Sequence, residues 1–271
     1  MNKINKFIKK SFIIISIIFM ISGNCVVQAR AGGGGSSGGS GSSGGSSGSS
    51  YSSSSADSIH NNSVDTGNQR GSFSILDIWY LIPVVLIGSA GAIVIKIKRR
   101  QKKLESISAI RNLSIDDDNW KYEEIKEDVE QAFYNIQKAW VEKDQDLAKE
   151  YMSKALYNSH KMKTEWMSVR HEKNILKNVQ LLKAEPMGLE DYEGTDNDIL
   201  WMLIKAKAID YTINEDTNKV IQGQAHISTK FEEYWKFIRV GTRWVADEIR
   251  QTNEISDLDF FRIDVHNKKE D

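Results

Sequence analysis

Phe231-Glu232-Glu233-Tyr234-Trp235-Lys236-Phe237-Ile238-Arg239, followed by Gly241 and then Arg243-Trp244, is the stretch whose period decides the fold. Ala225, Ile227, Thr229, Phe231, Glu233, Trp235 and Phe237 occupy alternate positions and so share one face of an extended strand. Gly241-Thr242 supplies a turn, and Trp244–Gln251 reads as the next strand. Upstream, Ile199–Ile213 is a long strand, joined to the first by the hairpin-type connection Asn214–Lys219. The period of two begins near Asn174, where Val179 and Leu181 alternate with polar residues ahead of Pro186 and Gly188.

Before Asn174 the period is that of a helix. Asp116-Asp117-Asp118-Asn119 offers several N-caps, and Tyr122, Ile125, Val129, Phe133, Ile136 and Trp140 come after it three or four apart. Glu123, Glu124, Glu127, Asp128 and Glu130 enrich the early turns, where the helix dipole favours negative charge. An amphipathic helix over about 119–142 is expected. Asp144 is placed to cap a short second helix carrying Leu147, Tyr151 and Met152. Ser153 is placed to cap a third, running to about Lys173 with Leu156, Tyr157, His160, Trp166 and Met167 toward the core. Helices followed by hairpin-linked strands predict one α+β domain over 116–265, with the helices on one face of a curved antiparallel sheet and a short tail over 266–271.

The charge is uneven along the chain. The formal net charge is −1 over 271 residues. Residues 1–103 contribute +9, however, and residues 104–271 contribute −10. Such asymmetry points to two environments, and it excludes a uniformly basic nucleic-acid binder. One cysteine, Cys25, excludes an internal disulfide framework or a thiolate zinc site.

Lys3, Lys6, Lys9 and Lys10 precede the apolar run Phe12–Ile21, and Ala29-Arg30-Ala31 supplies small residues at cleavage spacing. Residues 1–31 therefore read as a secretory signal peptide cleaved after Ala31. If the apolar run stays uncleaved as an anchor, the tether after it is exported all the same. Residues 32–55 contain 10 Gly, 13 Ser and Tyr51 alone. This composition predicts a disordered exported tether over 32–74, because it buries too little apolar surface to offset chain entropy. Glycine patterns inside it resemble nucleotide-binding and nucleophile-elbow motifs, but they lack the strand-to-helix context that those mechanisms need.

Ile78–Ile95 carries no charge and is long enough for one membrane span within 75–95. Lys96, Lys98, Arg99, Arg100, Lys102 and Lys103 come directly after it and open a basic connector, 96–115. Against a lone Asp77 on the other flank, they orient the domain to the cytoplasm. Gly88 and Ala92 have a small-xxx-small spacing that suits helix pairing in a homodimer.

No catalytic, cofactor or metal-binding set emerges. Asp210, His160 and His226 are the candidates for acid–base chemistry. Each has a structural reading: a hydrogen-bonded histidine, or a carboxylate at a solvent-facing strand position. The histidines lack a zinc-type spacing. Asp191–Asp198 lacks the order of a calcium loop and reads as a solvated hairpin. Phe231, Trp235, Phe237, Arg239 and Trp244 line either the core or a pocket, and their strand spacing suits a core.

The run from Phe231 to Arg239, with Gly241, Arg243-Trp244 and Asp247-Glu248-Ile249, resembles the C-terminal domain of mitochondrial inner-membrane translocase subunit 44, the Tim44-like family. Ala132-Phe133, Ile136-Gln137 and Ala139-Trp140, followed by Lys143-Asp144, are similar to that family's first helix. Bacterial members are similar in layout, and the resemblance covers roughly 107–255. It implies a cystatin-like or NTF2-like cone with an internal pocket, held at a membrane surface and binding protein or lipid. Chaperone tethering does not carry over, because the segment responsible for it in the mitochondrial protein is replaced here by signal, tether and span. The family's membrane-binding helices correspond to about 119–152, which here are rich in carboxylates that repel an anionic leaflet.

The sequence thus predicts a single-pass cell-membrane protein that displays a cytoplasmic, non-enzymatic scaffold for a protein partner. It needs no cofactor and binds no nucleic acid. The alternative is a pocket module for a lipid or small molecule, or an enzyme built on that pocket.

Overall fold

The computed structural model describes residues 30–31, 81–192, 194 and 197–265, without the side chains of 81–90 and 92. The rest of the expected signal, the tether, Cys25, the start of the span and the tail lie outside the described residues. The chain divides into two compact units: residues 36–96, and residues 1–35 together with 97–271.

Helix α1 is Leu81–Leu113. The connector expected at 96–115 is therefore largely helical, because Lys96–Leu113 contains neither Gly nor Pro and is rich in good helix formers. Pro83 falls in the first turn, where its missing N–H costs no intrahelical bond. From Ile97 onward the helix belongs to the domain: Ser106 and Ile110 are buried, with Ala109 and Leu113 packed against the core. Among the described residues no helix is long and apolar enough to cross a membrane. α1 begins three residues inside the expected span, so that run is only partly among them.

Asp117 does not cap the next helix. It caps a 3-10 turn, Asp118–Trp120, by accepting from the Asn119 N–H. Helix α2, Tyr122–Glu142, therefore starts later than its aspartates suggested. Its buried face is the expected one, Ile125, Val129, Phe133, Ile136 and Trp140, with Ala132 and Ala139 between them. Lys143 ends it in the left-handed conformation. Asp144 caps a second 3-10 segment, Gln145–Tyr151, where a short α-helix was expected.

Ser153 caps helix α3, Lys154–Val169, by accepting from the Leu156 N–H at 3.1 Å. α3 buries Leu156, His160, Thr164 and Met167. Trp166 was expected in the core and is instead 57% exposed, because helical geometry turns it about 120° away from His160 and the buried face. Leu147, on the 3-10 segment before α3, is exposed.

The strands are β1 (Glu172–Asp191), β2 (Ile199–Asn214), β3 (Val220–Val240), β4 (Arg243–Gln251) and β5 (Ile263–Val265). Their order is β4-β3-β2-β1-β5. β1 to β4 are antiparallel neighbours, but β5 runs parallel to β1, so the sheet is mixed rather than purely antiparallel. β1 continues through Pro186, where the register shifts before Gly188. Register shifts recur in each antiparallel pair, adding twist that curls the sheet into a half-barrel around α2. The result is an α+β, cone-like domain.

Its inner face packs Leu200, Met202, Ile204, Trp235 and Phe237 against Phe133 and Ile136. On the outer face Trp201, Leu203 and Tyr234 are covered by Ile255, Leu258 and Phe261.

One ion-pair cluster ties the ends of these elements. Arg239, 1% exposed, reaches Asp117 at 2.8 Å and Asp198 at 2.7 Å. Asp198 was expected in a solvated hairpin but is fully buried, and it also accepts from the Tyr192 N–H. Burial pushes its carboxyl up to about 6, against the pull of Tyr192 and Arg239. Its pair with the Arg239 guanidinium favours the ionised form. Arg239→Leu strands that charge and should destabilise the chain by about 3–5 kcal/mol. Asp198→Asn added to it should recover part of the loss. Urea unfolding followed by tryptophan fluorescence checks both.

His160 is 1% exposed and meets the edge of Trp140 at 5.1 Å between ring centroids. Burial, with the charge of Lys163 adding to it, lowers its pKa to about 3. The folded chain therefore holds His160 neutral, a contribution complete above about 6.5 and lost as pH falls toward 3. His160→Leu should flatten the decline in melting temperature between pH 6.5 and 4. Parallel curves for variant and parent would refute this assignment.

Candidate functional site

Two charged side chains share the inner face of β3 with its aromatics. Phe231, Glu233, Trp235, Phe237 and Arg239 occupy alternate positions, and all are buried. Arg239 belongs to the cluster above. Glu233, 0% exposed, lies deeper in the cone.

The Glu233 carboxylate is held in place from two sides. One oxygen accepts from Trp235 Nε1 at 3.0 Å, and the other accepts from Gln251 Nε2 at 3.1 Å. The second oxygen also receives Arg30 Nε at 2.8 Å. The Arg30 guanidinium stands 3.7 Å over the Phe231 ring, a cation–π distance. Its Nη1 lies 3.9 Å from Asp210 Oδ2. Asn174 Nδ2 donates to the other Asp210 oxygen at 2.8 Å. Arg30 is 1% exposed and Ala31 2%. Arg30 and Ala31, both expected at a cleavage site, thus sit inside the domain.

Asp210 was expected to face solvent, and its side chain is 5% exposed. The signal was present in the sequence. Leu200, Met202, Ile204, Ala206 and Ala208 alternate on the inner face, and Asp210 continues their parity. A bulge beside it brings Gly223 so close that a Cβ there would lie 2.4 Å from the Asp210 carbonyl. Burial raises the Asp210 carboxyl, opposed by Asn174 and Arg30; burial also lowers Arg30, opposed by Glu233 and Asp210. Sequence reasoning misses Arg30 and finds in Glu233 only a strand position. A carboxylate among inward aromatics was the available clue.

A second concavity of about 350 Å³ lies between α2 and the β3–β4 turn, lined by Glu124, Glu127, Asp128, Tyr151, Arg243 and Trp244 among others. Arg243 lies 3.6 Å from Asp128 and 3.3 Å from Glu150. Trp244 packs edge-on against buried Trp120 at 4.9 Å, and its backbone N–H donates to Asp128. Trp244 therefore serves core and rim together.

Several of the basic residues on α1 have partners in the domain. Arg99 meets Glu232 at 2.7 Å, and Lys103 meets Glu185 at 2.8 Å. Lys102 donates to the Phe261 carbonyl at 2.8 Å, and Lys98 lies 3.8 Å from Asp259. Lys96 and Arg100 are exposed. His226, the remaining acid–base candidate, is exposed on β3. Among the described residues no group of His, Cys, Asp and Glu is arranged to hold a metal ion.

No curated protein matches the chain. Among solved structures, the intermembrane-space region of the chloroplast protein ARC6 is similar at 8% identity and a TM-score of 0.32. That match covers 45% of this chain and 92% of the ARC6 region. The model of the Tim44-like domain matches residues 106–251, more than half of the chain and all four long strands of the sheet. The chain belongs to the Tim44-like domain family.

Proposed function

We propose that this is a single-pass membrane protein whose Tim44-like domain is a non-enzymatic scaffold for a protein partner at the cytoplasmic face. The observation that carries the membrane part is α1. Ile93, Val94, Ile95 and Ile97 are 45–61% exposed within five positions, so the helix there is apolar around much of its circumference. That is the surface of a helix solvated by lipid rather than water. The charge-free run Ile78–Ile95 and the basic residues after it add length and orientation. A signal-like N-terminus supports a tether on the opposite side.

A protein partner is favoured over lipid by the interior of the cone. Two carboxylates, Glu233 and Asp210, occupy it, and residues 104–271 carry ten excess negative charges. Both disfavour an anionic lipid in the pocket or a tightly docked anionic leaflet. The cystatin-like or NTF2-like cone then serves as a frame for surfaces. Met162, Trp166 and Val169 form one such surface, an exposed apolar stripe along α3 at 56–67% exposure.

Protease added to right-side-out vesicles should spare residues 104–271 and remove the tether. Digestion of the domain from outside would overturn the orientation. A photo-crosslinking residue at Trp166 should give one discrete adduct in cells. Met162→Glu with Val169→Glu should abolish it. An adduct that survives both changes would argue against this stripe as the contact.

A further inference from the structure

We infer that the cone interior is a recognition pocket for an arginine side chain of a peptide segment, with Glu233 and Asp210 as its anionic floor and Phe231 as its wall. Arg30 is the occupant in this structure. Its guanidinium bonds a fully buried carboxylate at 2.8 Å, stacks on Phe231 at 3.7 Å and lies 3.9 Å from a second carboxylate. A planar cation with several donors fits between an aromatic face and two carboxylates. An ammonium would forgo the stacking.

The pocket and its occupant have separate origins. Asp210, Phe231, Glu233, Trp235 and Gln251 all fall within the family domain at 106–251, and Arg30 lies outside it. Trp235 and Gln251 hold the Glu233 carboxylate from within the domain, so the anionic site is built before any cation arrives. A buried carboxylate without a counter-charge is costly, which makes the site selective for a cation that brings hydrogen bonds.

Vacancy follows from the proposed topology, and the inference rests on that reading for this step alone. Export of the N-terminal segment leaves Arg30 across the membrane from the domain. The carboxylates then face an empty pocket that suits an arginine presented by the protein partner. Arg30-Ala31, with a small residue after the arginine, is the pattern that the pocket demonstrably admits.

The test uses the full chain carrying Arg30→Ala, in detergent, where topology plays no part. The probe is a fluorescent peptide of the chain's own residues 26–35, Val-Val-Gln-Ala-Arg-Ala-Gly-Gly-Gly-Gly. Saturable binding is expected, weaker by roughly tenfold or more when its arginine is replaced by citrulline, the scale of a lost charge-assisted hydrogen bond. Adding Glu233→Gln to the chain should remove the discrimination between the two peptides.

Equal affinity for the arginine and citrulline peptides would overturn the pocket, as would discrimination that persists with Glu233→Gln. If Arg30→Ala alone does not fold, the arginine peptide added during refolding should restore its melting transition. Failure of that rescue also counts against the pocket. Protease access in vesicles reports the topology separately, so either reading can fail without the other.

Discussion

The constraint on which the domain depends is that one face of β3 buries two opposite charges among three aromatic rings. Glu233 and Arg239 alternate with Phe231, Trp235 and Phe237 on the concave side of the sheet. Neither charge tolerates burial without a counterion, and the fold supplies the two differently. Arg239 is neutralised from inside the domain by Asp117 and Asp198. Those partners pin the turn before α2 and the β1–β2 hairpin to the end of β3. Glu233 has neutral donors in the domain, Trp235 and Gln251, but its cation comes from residue 30. One site is complete as structure; the other is completed by a segment from far along the chain.

The same distinction separates two uses of positive charge on α1. A basic cluster after an apolar run orients a span, and that function asks only for charge on one side. The structure adds geometry. Arg99, Lys102 and Lys103 engage Glu232, the Phe261 carbonyl and Glu185, while Lys96 and Arg100 stay exposed. Exposed ion pairs contribute little each, so the buried Ile110, with Ala109 and Leu113 packed against the core, accounts for more of the attachment. Residues 97–113 are therefore an element of the domain's own packing, and Lys98, Arg99, Lys102 and Lys103 belong to its surface.

Much of this was legible in the sequence, for local reasons. The period of α2, the Ser153 cap and the alternation in β2 and β3 are properties of neighbouring residues, and the structure keeps them. What was not legible depended on distant partners or on register. β5 pairs with β1 through three residues whose apolar content signals nothing. The size of Trp166 suggests an inward side chain, although its helical phase with His160 points it out. The charge of Asp210 suggests an outward one, although parity with Ala206 and Ala208 points it in. In both cases the position along the element outweighs the chemistry of the side chain. Arg30 lay beyond either argument, since nothing local to Ala29-Arg30-Ala31 indicates a carboxylate 203 residues away.

Arg30 also joins the two halves of the functional reading in a way that neither half requires alone. A chain whose signal has crossed the membrane, and whose domain has not, cannot fill its own pocket with Arg30. A chain that fills the pocket keeps its N-terminal segment on the same side as the domain. The two placements of Arg30 exclude each other. On the proposed topology, Arg30 offsets one of the two buried negative charges, Glu233 and Asp210, for as long as it stays on the domain's side. Were Arg30 exported as proposed, that offset would be lost and Glu233 would be open to another cation. The unpaired carboxylate that makes the inserted domain less stable by itself is then the feature that gives it something to bind.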